Sequence, residues 1–109
     1  MGRVLVCFAF LSVASVASVA AQDLAAQGAK VYAAQKCSVC HAIAGKGNAK
    51  GSLDAVGSKL SAADIRAWIV DAKGMTAKSN ATRKPLMKAY SLPKEDVDAL
   101  VAYLSTLKG

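Results

Sequence analysis

Residues 37–41 read Cys-Ser-Val-Cys-His, and His41 is the only histidine in the chain. That spacing has chemical content. Two thiols with two residues between them can reach the two vinyl groups along one side of a porphyrin and close thioether bonds. The next residue then lies beneath the iron, where an imidazole nitrogen can ligate it. C-x-x-C-H is accordingly the sequence of c-type haem attachment. Other chemistries fit less well. A structural zinc site takes four cysteine or histidine ligands, and beyond residue 21 the chain offers only Cys37, Cys40 and His41. A thioredoxin-like dithiol sits near a βαβ pattern, and none surrounds these residues. A plain disulfide between the two thiols is the bland alternative.

A haem iron held by His41 has a second axial position. With no second histidine, the soft candidate is methionine. Met75 and Met87 both follow the Trp68 segment. Either methionine could simply fill a gap in a core. Met87 is the better ligand candidate, because Pro85 stiffens the backbone two residues earlier. Met75, or an exchangeable site, is the alternative.

These residues need elements to position them. Leu24–Lys36 is alanine-rich and helix-forming, with Asp23 as its expected N-cap. Leu24, Gly28, Val31 and Tyr32 share a face there. Gly45, Gly47, Gly51 and Gly57 mark 44–59 as loop. Ser61 and Asp64 form a capping-box-like pair ahead of an apolar stripe of Ile65, Trp68, Ile69 and Ala72. Residues 73–92 are polar and read as irregular. The last helix starts near Pro93, and Val97, Leu100, Val101, Leu104 and Leu107 recur at helical spacing. The expectation is an all-α fold of about three main helices, with two long loops and no convincing strand. Leu53, Leu60, Ile65, Trp68, Ile69 and Leu86 are candidates for the wall of a cofactor pocket.

The chain has 109 residues and is 54% hydrophobic, too apolar for a disordered chain. Part of that excess lies at the start. Arg3 is followed by an apolar run and then by small residues, the pattern of a secretory signal at 1–21 cut after Ala21. A retained anchor is the alternative. The mature domain, 22–109, is then too short to bury more than a modest core by itself. The formal charge is +7, and losing Arg3 lowers it by one. Export argues against a nucleic-acid partner. Lys36, Lys46, Lys50, Lys84 and Lys88 would steer a redox protein with an acidic face, with a generic solvated basic surface as the alternative.

With Cys-Ser-Val-Cys-His at 37–41, Gly28 and Tyr32 before it, Lys-Pro-Leu-Met-Lys-Ala-Tyr at 84–90 and Asp-Ala-Leu-Val-Ala-Tyr-Leu-Ser-Thr-Leu-Lys at 98–108, the chain resembles the small monohaem class I cytochromes c. The resemblance spans nearly all of the mature chain. It implies a cytochrome c fold around one covalently attached haem c, bound through Cys37 and Cys40. His41 would be the proximal and Met87 the distal iron ligand. It also implies that the first and last helices meet at Gly28, Tyr32, Leu100 and Tyr103. Two departures stand out. Tyr32 lies five residues before Cys37 where four is commoner, which calls for an overwound or bulged turn. Gly51-Ser52-Leu53 replaces the usual Gly-Pro-Leu, so the Ser52 carbonyl is the expected acceptor for the His41 ring. The expected function is a soluble, periplasmic, monomeric single-electron carrier, not an enzyme, with no stable membrane insertion once the signal is gone. A haem protein with a labile sixth site (a sensor or a peroxidase-like protein) and a thiol–disulfide module are the rival readings.

Overall fold

The computed structural model describes Gly2 and residues 16–109, with side chains from Ala20 onward. Most of the proposed signal, 3–15, lies outside the described residues. Among the described residues, five α-helices carry the fold: α1 Val16–Ala34, α2 Val56–Lys59, α3 Ala62–Val70, α4 Ala72–Ser79 and α5 Lys94–Ser105. Short 3-10 turns occupy Cys37–Val39 and Ala49–Gly51. Among the described residues no helix is long and apolar enough to cross a membrane.

α1 does not begin at Asp23 as the sequence suggested. The alanine-rich stretch before it continues the helix, and Asp23 is an exposed interior residue. The most extensive helix pairing is α1 against α5. Gly28 makes it possible. A Cβ there would run into the Ala99 carbonyl and come within 2.6 Å of Tyr103 Cβ. Tyr32 and Tyr103 pack edge to face beside it, with centroids 6.0 Å apart and planes at 70°. α5 buries Val97, Leu100, Val101 and Leu104, the stripe its periodicity marked. Pro93 is its N-cap residue.

α3 starts on Ser61, whose hydroxyl accepts the Asp64 N–H at 3.1 Å. It buries Ile65 and Ile69 against α5. Arg66 on α3 and Lys94 on α5 both bond the Asp98 carboxylate, at 2.6 and 2.7 Å. Those two partners, Lys94 first, hold the Asp98 carboxyl below its usual value.

Two regions depart from the sequence reading. Ala72–Ser79 is helical where an irregular segment was expected. Asp71 caps it, accepting the Gly74 N–H at 3.2 Å, and Asn80 ends it in the left-handed region at φ 54°. A small antiparallel ladder also forms, with β1 Ala42–Ile43 paired to β2 Lys46–Gly47. Its two-residue turn has positive φ at both Ala44 (52°) and Gly45 (77°), the combination that closes a tight hairpin. Asp54 accepts the Ala44 N–H at 2.7 Å and pins that turn.

Val31, Ile65, Ile69, Val97, Leu100, Val101 and Leu104 form one apolar cluster. Among the described residues, no large side chain in it is completely shielded. The helices surround a space more than they fill one.

Gly28→Ala tests the helix pairing. Overpacking at a backbone contact is expected to cost about 1–3 kcal/mol. Guanidinium unfolding of the haem-loaded protein measures it, and an unchanged midpoint would show that α1 and α5 do not depend on this approach.

Candidate haem site

Two residues after α1, Lys36 turns the backbone into the left-handed region, with φ 55°. Just before it, the helix tightens: Gln35 N–H still bonds the Val31 carbonyl, but Lys36 N–H bonds that of Ala33 at 3.1 Å. This overwound end accommodates the extra residue between Tyr32 and Cys37. The chain then makes a single turn. Cys40 N–H and His41 N–H both donate to the Cys37 carbonyl, at 3.1 and 2.9 Å. Residues three and four apart on such a turn share a face, so Cys37, Cys40 and His41 present together.

All three line one cavity of about 530 Å³. That is the size of a typical ligand pocket, roughly 300–1,000 Å³. Met87 lines it too, whereas Met75 is not among its lining residues. The predicted wall residues Leu53, Leu60, Ile65, Trp68, Ile69 and Leu86 are all present. Sequence reasoning did not place Arg83, Tyr90, Leu92, Leu100 and Leu104 at this wall. Leu100 and Leu104 were legible only as a helix stripe. Tyr90 is held by its own N–H on the Ile69 carbonyl at 2.8 Å, a long-range contact without local signal.

The His41 ring is oriented by a bond from Nδ1 to a backbone carbonyl at 2.9 Å. A carbonyl only accepts, so Nδ1 carries the proton and Nε2 keeps its lone pair. The acceptor is Gly51, not Ser52. Ser52 instead pairs with Ala42 in an isolated parallel bridge, and Leu53 N–H bonds the Ala42 carbonyl at 2.8 Å. That register sets Gly51 beside the ring. Burial lowers the His41 pKa, the bond to Gly51 opposes that, and the Arg83 charge adds to the lowering. The imidazole is thereby kept neutral, the form that ligates metal.

Burial pushes the Cys37 thiol up, and the neighbouring Cys40 adds to the rise. A dithiol exchange centre needs the opposite, a thiol with a depressed pKa. Tyr32 also lines the cavity, and its buried hydroxyl has no hydrogen-bond partner among the described residues. Burial is the main reason its pKa is pushed up to about 12. No group of three or more His, Cys, Asp or Glu side chains suited to a metal ion occurs among the described residues. The donors here suit a tetrapyrrole iron: two thiols for attachment, one neutral imidazole and one thioether, in a largely apolar wall.

Residues 25–108 match the Cytochrome c family, and the chain belongs to it. It is an all-α, electron-carrying haem protein with covalently bound haem c. It is similar to cytochrome c oxidase subunit 2 of Alkalihalophilus pseudofirmus, being 32% identical over 97 residues. That alignment covers 80% of this chain but 27% of the relative, so the chain spans about a quarter of that protein's length. No solved structure matches it.

Thioether formation leaves no thiol at either cysteine. Alkylation of the denatured, reduced protein followed by peptide mass mapping is expected to find Cys37 and Cys40 unlabelled and the 37–41 peptide heavier by one haem. Labelling at either position would contradict covalent attachment there.

Proposed function

We propose that the protein is an exported carrier of single electrons, with its haem attached through Cys37 and Cys40 and its iron held by His41 and Met87. One observation carries this reading: a single cavity gathers both thiols, the only histidine and Met87, and omits Met75. The haem, when bound, supplies reversible one-electron exchange at iron. The chain's residues set the conditions for it. His41 offers Nε2 with its orientation fixed through Nδ1 and Gly51. Met87 offers a thioether from a half-buried position. Were His41 and Met87 both to hold the iron, little in the chain would have to move when its charge changed. The largely apolar wall would limit water around the group and disfavour the additional positive charge of the oxidised state, which raises the potential.

The partners follow from the surface. Lys36 and Lys88 line the cavity mouth, and Lys46, Lys50 and Lys84 are exposed. Val39 and Leu86 are exposed apolar residues on the same two segments that carry the cysteines and Met87. Such a surface suits brief docking of redox proteins with acidic faces. The secretory pattern of residues 1–21 supports a periplasmic location, and a carrier of this kind works as a monomer without turning over a substrate.

Methionine ligation gives ferric haem a weak near-infrared charge-transfer band. Met87→Ala is expected to abolish it and Met75→Ala to leave it in place. The reverse result would move the ligand to Met75, and high-spin bands in the unaltered protein would favour the labile-site reading instead.

Electron transfer with an acidic redox protein is expected to slow as ionic strength rises from about 0.01 to 0.15 M, over which the screening length falls from about 30 to 8 Å. A flat response would remove the lysines from docking.

A further inference from the structure

Arg83 stands four residues before Met87, and no motif accounts for it. Its Nη2 donates to the Cys40 carbonyl at 2.6 Å, across 43 residues of sequence. The other guanidinium nitrogen lies against Gly51. A Cβ on Gly51 would collide with Arg83 Nη1 and with the Cys40 carbonyl, and would come within 3.0 Å of His41 Nδ1. Only a glycine leaves room for this convergence. The guanidinium therefore touches the attachment turn and the Gly51 segment that orients His41, while its own backbone belongs to the Met87 loop.

That loop has few other ties. From Ala81 to Leu92 it contains no helix or strand. Ala81 N–H bonds the Thr76 carbonyl at 3.1 Å and Tyr90 N–H bonds that of Ile69 at 2.8 Å. Between those two points, Arg83 makes the hydrogen bond that ties the loop to the rest of the described residues.

We propose that Arg83 is a positioning residue that latches the Met87 loop onto the Cys37–His41 turn and so keeps Met87 at the iron in competition with outside ligands. This rests on the His41/Met87 reading. Arg83 lines the cavity wall and acts on Met87 by holding a carbonyl of the attachment turn. A charged donor to a carbonyl is among the stronger hydrogen bonds, and removing it frees the middle of the loop.

The test uses the haem-loaded, full-length ferric protein titrated with imidazole. The readouts are the near-infrared methionine band and the Soret shift. Arg83→Gln is expected to bind imidazole about tenfold more tightly than the unaltered protein. The guanidinium unfolding midpoint should barely move, because the latch is local and exposed. Lys78→Gln, which removes an exposed charge on α4, should leave imidazole affinity unchanged. Gly51→Ala, which crowds the guanidinium, should weaken methionine retention in the same direction as Arg83→Gln. Equal imidazole affinity in Arg83→Gln and unaltered protein, with the methionine band present in both, overturns the latch but not the ligation. Loss of methionine retention in Lys78→Gln as well would reduce the effect to net charge and also overturn it. Absence of the band from the unaltered protein overturns the His41/Met87 reading itself, and the latch with it.

Discussion

The approach of α1 to α5 over Gly28 fixes the place where the chain leaves α1 and enters the Cys37–His41 turn. Helix axes this close leave room only for a hydrogen at one position, and the chain has a glycine there. Because Lys36 turns the backbone left-handed two residues after the helix, the turn projects its three donor side chains into the space between α1, α3 and α5. A wider helix pairing would carry the cysteines and His41 outward from Leu100 and Leu104, which form the far wall of the same space. Packing and site are therefore one constraint. Leu100 and Leu104, part of the buried face of α5, also line the cofactor's pocket, so neither has separate structural and functional roles to weigh.

The electrostatics of the cavity agree with that arrangement. A largely apolar wall penalises charge, and burial displaces three of its titratable groups toward their neutral forms: the His41 imidazole downward, the Cys37 thiol and Tyr32 phenol upward. Neutral imidazole is what iron needs, and a protonated thiol is a poor centre for disulfide exchange. The same physics that disfavours a thiol–disulfide role thus favours haem attachment. The positive charge of Arg83 sits close enough to reinforce the neutrality of His41 without a counter-carboxylate.

How much of this was legible in the sequence depended on the range of the interaction. Cys37, Cys40 and His41 were readable because their chemistry depends on spacing within five residues. The α5 stripe and the Ser61 cap were readable because helical period and capping are local. Asp71 and Asn80, which bound α4, are also local signals, but the polar composition of 73–92 obscured them. Ser52 was the wrong acceptor for a different reason. Its choice followed from a proline-containing pattern absent here, and the actual register is set by the pairing of 42 with 52 and 53. The Arg83 contact with the Cys40 carbonyl spans a sequence distance for which residue types carry no signal, although one of only two arginines beyond Arg3 standing four residues before a candidate ligand was a place to look.

The Met87 loop shows why such a contact matters. A segment without secondary structure loses backbone entropy of about 1–2 kcal/mol per residue when it is ordered. Helices recover this through repeating hydrogen bonds and buried stripes, and 81–92 has neither. What orders it is anchoring at both ends, Arg83 near its start, and the partial burial of Met87, Tyr90 and Leu92 at the cavity wall. Met87 is thus held by the pocket it helps to form. On the proposed His41/Met87 ligation, a loop built this way would release its methionine before the helices unfold, because the helices rest on α1–α5 and α3–α5 contacts that the loop does not supply.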